Sequence, residues 1–413
     1  GKFVSEDPKR YKEYELTEIE RILGDRHAYF TKVFQHLKRS HNRSVAIFMD
    51  NLDRRDSEIQ EQAFLRASAM ARDWASMTFV CLRPDTFYRS KKDGVLDAIA
   101  PTAFTVAHPD LALVLKRRFA YAKTIADGTR QTSAKVEGYS PNISTNLPSV
   151  SELLGSCEFA ARKRHGIIPM LEAISNGDIR LLLEFSRKVL CSGHLDTKKI
   201  LDHIHEDGSY MIPDFEGIKA LLYGEYKHFN SQESPFINLF DIMYSQRMDH
   251  FVSLSALHFF DRTPEDGPSR GFTVRNDVKA YLSGVGFSLQ MCDEALRRLE
   301  AKKLIIPDIL SKDSKGDYSR LGLTSLGKFH LHYLCRVFQY LDAMTLDTPI
   351  LDTDVRKCIG DTFSIQERIA RTKAFLSYLD QSISDIRDEA IVKFWQSKSD
   401  EAHREIAEIE SKI

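Results

Sequence analysis

The chain contains no G-x-x-x-x-G-K-[ST] sequence, no CxxC pair and no apolar run long enough to cross a bilayer. Without the first, it has no glycine-rich cradle and no lysine of the kind that holds nucleotide phosphates. Gly1-Lys2-Phe3 supplies only the dipeptide, with neither the leading glycine nor the following hydroxyl. The six cysteines (Cys81, Cys157, Cys191, Cys292, Cys335, Cys358) are scattered and show no Cys/His metal spacing, so reduced, structural thiols are expected. No charged-then-apolar leader opens the chain. With no bilayer-length run either, the expected compartment is the cytoplasm, with no membrane partner. An excess of charge is missing too: 58 basic residues stand against 59 acidic ones, a formal net charge of -1. Binding to nucleic acid would have to come from a local patch.

What is present is an ordinary globular composition, 42% hydrophobic and 28% charged over 413 residues. That is too long for one compact core, so about two to four domains are expected. An amphipathic helical segment runs from Glu15 to Arg39. Three strand-like runs follow, Val45–Met49, Thr78–Leu82 and Ala103–Val106, with a helical stretch between the first two and another, "DLALVLKRRFAYAKTIA", after the third. Strands alternating with helices imply βα units and a parallel sheet. The stretch "VAIFMDNLDR" drives five apolar residues into Asp50 and, three residues later, Asp53. A run of that kind suits a strand buried on both faces. Its carboxylates then fall at the carboxyl edge, where open α/β sheets bind ligands. There Asp50 could orient magnesium and its waters, and Asp53 could activate a water as general base.

Residues 126–149 turn to Gly, Ser, Thr, Asn and Pro and read as a linker. A helical bundle is expected over 150–240. Within it "SNGDIRLLLEF" opens an apolar helix, with Asp178 placed to cap it and Arg180 in its first turn. Over 245–340 the pattern is helix, helix, two strands, helix: "VRNDVKAYLSGVGF", "SLQMCDEALRRLEAKKL" with Ser288 as N-cap, then "LIIPDIL" and "YSRLGLT" around a charged hairpin, then "LTSLGKFHLHYL". This is a winged-helix pattern. Its second helix offers Arg297, Arg298, Lys302 and Lys303 to phosphates, and its wing offers Lys312, Lys315 and Arg320, diluted by Asp313 and Asp317. Residues 341–413 are helical, with Ile365, Ile369, Leu376, Leu379, Ile383 and Ile386 along one face of a long helix. The pairs His203/His205 and His330/His332 are two residues apart, which on a helix points them apart, so both read as structural.

In this order the motifs resemble the AAA+ ATPases of the origin-recognition clade and their STAND and KAP relatives. The resemblance covers about residues 40–335. It implies a partial α/β parallel-sheet P-loop NTPase core (1–125), a helical lid, a winged-helix domain and a helical C-terminus. "DNLDRR" is similar to a KAP-type Walker B motif in which Asn51 stands where a second acid is usual, and Asp53 takes over as base. Arg83, at the tip of the neighbouring strand, corresponds to a γ-phosphate sensor and Arg180 to the second, lid-borne sensor. Arg117 and Arg118 are candidates for an arginine finger. ATP and Mg2+ are the implied cofactors, and a homo-oligomer the implied assembly. The phosphate loop is expected on an upstream or partner segment that completes the core, which makes this chain the C-terminal part of a longer protein. Three functions follow as expectations: a nucleotide-switched oligomeric ATPase of STAND or KAP type, suited to bacterial anti-phage signalling; a duplex-DNA-binding initiator or loader; and a non-hydrolysing scaffold.

Overall fold

A computed structural model describes residues 8–74, 76–99, 101–128, 147–207, 210–242, 246–265, 270–308, 311, 319–362 and 364–413. The chain divides into two compact units, Gly1–Thr105 and Val106–Ile413. The first contains α1 (Pro8–Gly24), α2 (Arg26–His41), β1 (Ala46–Met49), α3 (Ser57–Asp73), β2 (Met77–Val80), α4 (Pro84–Asp93) and α5 (Val95–Ile99). The amphipathic segment expected as one helix from Glu15 to Arg39 is therefore two. Asp25 leaves helical geometry and caps α2, its Oδ1 accepting from the Ala28 N–H at 3.0 Å. Trp74, just past α3, is ringed by His27, Phe30 and Phe34 of α2 with centroids 5.5–5.8 Å away, which holds α2 against the end of α3.

β1 and β2 pair in parallel, Ala46 opposite Met77 through Met49 opposite Val80, with α3 as the crossover. Phe48 stacks on Phe79 at 4.8 Å. The core under them is small, with Phe64, Ala67 and Leu96 its buried apolar side chains, and Phe48 is still 66% exposed. The third expected strand, Ala103–Val106, is not formed: it has no ladder partner, and Phe104 is 78% exposed. An extended segment becomes a strand only when a neighbour takes its backbone hydrogen bonds. Among the described residues, the parallel sheet of this unit has two strands.

The second unit is built from helices around one core. It opens with α6 (Leu111–Ala126), α7 (Leu147–Lys163), α8 (Ile167–Ile174), α9 (Ile179–Cys191), α10 (Thr197–Asp207) and α11 (Asp214–Tyr223). α6, expected with the nucleotide core, instead buries Ala112, Leu115 and Phe119 in this unit. Of the expected linker, 129–146 lies outside the described residues. Gly166 enters α8 with a φ of 60°, and a Cβ there would sit 2.3 Å from the Ile212 carbonyl oxygen, so this turn needs glycine. Next come α12 (Val252–Asp261), β3 (Phe272–Val274), α13 (Arg275–Val285), α14 (Leu289–Ala301), β4 (Ile305–Pro307), β5 (Arg320–Leu323) and α15 (Ser325–His332). The three strands form an antiparallel sheet in the order β3-β5-β4. β3 was not foreseen from the sequence. Ser288 caps α14, its Oγ accepting from the Met291 N–H at 3.3 Å.

The chain closes with α16 (Phe338–Asp347), α17 (Thr353–Lys357), α18 (Ile365–Ser382) and α19 (Glu389–Glu410). The expected single long helix through Ile386 stops at Ser382. Its apolar stripe is spent inside the unit, where Ile369, Leu376, Leu379, Ile383 and Ile386 are all buried. Two fully buried polar side chains have close partners. Asp342 of α16, fully buried, accepts from Arg368 at 2.7 and 2.9 Å and from Arg371 at 2.8 Å. His330 is equally buried, with Nδ1 donating to the Leu326 carbonyl at 2.8 Å and Nε2 accepting from the Ile237 N–H at 3.2 Å. These two bonds fix the neutral tautomer.

Candidate functional site

The parallel register places the carboxyl ends of β1 and β2 side by side, so one of the two acids after β1, Asp53, meets the arginine after β2. After Met49 the chain turns sharply. Asp50 accepts from the Asn51 N–H at 2.8 Å, and Asn51 takes a left-handed φ of 61° that starts a short 3-10 turn, Leu52–Arg54. That turn brings Asp53 back toward β2. Its Oδ1 accepts from the Arg83 N–H at 2.8 Å, and the Arg83 guanidinium lies 3.8 Å from its Oδ2. Asp53 is the sheltered member, with its side chain 18% exposed against 65% for Arg83. Asp50 is exposed, and its carboxylate has no side-chain partner among the described residues.

Sequence reasoning named Asp50, Asp53 and Arg83 separately, and the fold brings them to one edge, 30 residues apart in the chain. It also alters their roles. Asp53 has partners on both oxygens, so it ties the ends of β1 and β2 together whether or not it serves as a base. Arg83 faces Asp53 rather than standing free.

The other candidates belong to the second unit. Asp178 caps α9, accepting from the Arg180 N–H at 2.7 Å and the Leu181 N–H at 3.3 Å. The Arg180 side chain is exposed and has no partner among the described residues. Arg117 and Arg118 likewise lie on the exposed face of α6. No group of three or more His, Cys, Asp or Glu side chains is arranged to hold a metal ion among the described residues.

Several of the basic residues on and just after α14 are engaged within the chain. Arg298 pairs with Asp241 at 2.9 Å and reaches the Asn238 carbonyl at 3.4 Å. Lys302 donates to the Ser231 carbonyl and, at 3.0 Å, to the Ser234 carbonyl, and burial lowers its pKa. One helical turn apart, the two residues share a face that is spent on the segment 231–241, which itself buries Phe236 and Phe240. Arg297 is exposed but paired with Glu294. Lys303 sits in a left-handed turn with a φ of 59°. Arg320 is held by Asp308 at 3.5 Å and donates to the Phe272 carbonyl. Lys312 and Lys315, with the wing acids Asp313 and Asp317, lie outside the described residues.

Sequence reasoning missed Asn176, whose side chain joins the turn before α9 to both ends of the α14–α15 region. Only its place beside Gly177 in "SNGD" hinted at a left-handed turn. No protein-family model, no curated protein and no solved structure matches the chain.

Proposed function

We propose that the chain belongs to a nucleotide-switched, oligomer-forming ATPase of the STAND or KAP kind. It contributes the acid and arginine half of the nucleotide site, while another segment or a partner brings the phosphate loop. The observation that carries this reading is the contact of Asp53 with Arg83 at the carboxyl edge of two parallel strands, with Asp50 exposed at the end of the first, where α/β sheets place their ligands. The sheet supports it as well. Two parallel strands with Phe48 and Met77 still more than half exposed form an unfinished surface. A further parallel strand would cover apolar area and take up open backbone groups. Such a strand would deliver the phosphate loop beside Asp50.

In this reading Asp50 holds magnesium through water, and Asp53 aligns Arg83 and accepts a proton from the attacking water. The state of α14 favours the switch over the DNA reader, because Arg298 pairs with Asp241 and Lys302 donates to backbone carbonyls of this chain. A non-hydrolysing scaffold is the second reading, and the engagement of Asp53 by Arg83 favours it. The test is Mg-ATP binding and hydrolysis by the protein assembled with its phosphate-loop segment. Asp50→Ala is expected to abolish the magnesium dependence of binding. Magnesium-dependent binding unchanged in that variant would overturn the proposal.

A further inference from the structure

The turn Ser175–Asp178 is short, polar and strongly constrained. Ser175 is fully buried and donates to the Glu172 carbonyl at 3.0 Å, while the Asp178 N–H closes the turn on the Ser175 carbonyl at 2.8 Å. Between them Asn176 and Gly177 both hold left-handed backbone, with φ of 49° and 79°. Asn and Gly are the residues that adopt that region most readily. The result is that the Asn176 amide points away from its own helices and into the far end of the α14–β4–α15 region.

There the Asn176 side chain makes two bonds. Its Nδ2 donates to the Lys303 carbonyl at 3.3 Å, and its Oδ1 accepts from the Leu326 N–H at 2.9 Å. Leu326 lies in the first turn of α15, whose N–H groups have no partner within the helix. The neighbouring Gly327 N–H is capped internally by Thr324 at 3.1 Å. Lys303 is the left-handed residue just after α14, and its carbonyl also accepts from the Thr324 hydroxyl at 2.8 Å. One amide from the α8–α9 turn thus supplies an end group to α15 and holds the residue that terminates α14. The contacts span 127 and 150 residues of sequence.

We propose that Asn176 is a bolt coupling the start of α9 to the α14–α15 region, so that a displacement of the Asp178–Arg180 end of α9 is passed to the basic helix. This goes beyond the nucleotide reading: the coupling stands on contacts within the protein alone, and it is measured without nucleotide. Asn176 is a positioning residue.

The experiment is hydrogen–deuterium exchange on the full chain with Asn176→Gly, a substitution that tolerates the left-handed backbone and removes the side chain with its amide. Exchange at the Leu326 N–H is expected to rise roughly five- to tenfold, the scale of one lost hydrogen bond. Asn176→Asp, which keeps the acceptor, should restore most of that protection. The coupling itself is read with Asp178→Ala, which frees the first turn of α9. In the wild-type background it should raise Leu326 exchange several-fold, and in the Asn176→Gly background it should add little. Unchanged Leu326 exchange in Asn176→Gly would overturn the proposal. So would an Asp178→Ala effect of equal size in both backgrounds. A Leu326 response as expected, alongside an Asp50→Ala protein with normal magnesium-dependent binding, would sink the nucleotide reading and leave the bolt standing.

Discussion

Asp342 of α16 pairs with both Arg368 and Arg371, and it is fully buried. Arg371 is almost as deeply placed, with its side chain 4% exposed, and its remaining reach goes to the Gly360 carbonyl at 2.7 Å. Changing Asp342 to Asn removes the charge and keeps the shape. Two guanidiniums then face each other across a neutral amide, one of them almost wholly withdrawn from water. Breaking a buried pair from one side costs about 3–5 kcal/mol, because the stranded charge keeps its desolvation penalty. For a unit of this size that corresponds to roughly 6–10 °C in Tm, at about 2 °C per kcal/mol. Lys393→Ala serves as the control. Its pair with Glu389 is exposed, and losing it should change stability by less than about 0.5 kcal/mol. The assay is urea unfolding followed by circular dichroism, with Tm measured in parallel. A third variant sharpens the reasoning: in an Arg371→Met background, Asp342→Asn should cost markedly less than it does alone, since less buried charge is then stranded. A loss below about 1 kcal/mol for Asp342→Asn, or full additivity with Arg371→Met, would refute the argument that the network is held by charge compensation.

Burial pushes the pKa of His330 down to about 4 from an ordinary value of 6.5. The unfolded chain therefore binds the extra proton first, and stability should be lost as pH falls from about 6.5 toward 4, by roughly 3 kcal/mol in all. His330→Gln, uncharged throughout, should flatten that limb of the stability–pH profile, and an unchanged slope would contradict the assignment. Asp249 and Glu405, whose pKa values burial raises, act with the opposite sign and limit the net slope. Gly166→Ala places a Cβ against the Ile212 carbonyl at positive φ and should destabilise by about 2–4 kcal/mol, whereas Gly193→Ala, at φ 73° in open space, should cost about 1 kcal/mol. Equal costs in urea unfolding would show that the close approach does not matter. For duplex DNA, fluorescence anisotropy should show no steeply salt-dependent binding, and the Arg297→Ala/Arg298→Ala variant should lose stability rather than affinity. A log–log salt slope of about -4, the value for four or five phosphate contacts, would revive the DNA reader.

The elements that could be read from the sequence were those whose signals are local. Five apolar residues ending in Asp50 marked β1, and Asp178 and Ser288 marked the starts of α9 and α14, because a cap and the helix it opens lie within a few residues of each other. Ala103–Val106 misled because an apolar run records strand propensity but not whether a neighbour is there to pair with it. What the basic residues of α14 meet was not legible for a related reason. Helical spacing puts Arg298 and Lys302 on one face, but what that face meets is decided by Asp241 and the carbonyls of Ser231 and Ser234, some 57 to 71 residues away. β3 is three residues long, too short for a period-2 signal to register. At the candidate site the residue types were legible, and the bond between Asp53 and the Arg83 N–H was not. It depends on the parallel register and on the left-handed turn at Asn51, neither of which residue spacing encodes.

The central claim, that Asp53 does chemistry as well as joining two strand ends, is tested most directly by one substitution measured against another. Asp53→Asn keeps an oxygen for the Arg83 N–H and removes the base, whereas Asp53→Ala removes both. ATP turnover is to be measured on the protein assembled with the phosphate-loop segment that the proposed function requires, at saturating magnesium. Turnover should fall by roughly a hundredfold or more in Asp53→Asn, the usual scale for a lost general base, while nucleotide affinity holds. Wild-type turnover in Asp53→Asn, with turnover lost only in Asp53→Ala, would contradict the claim and make Asp53 a structural tie.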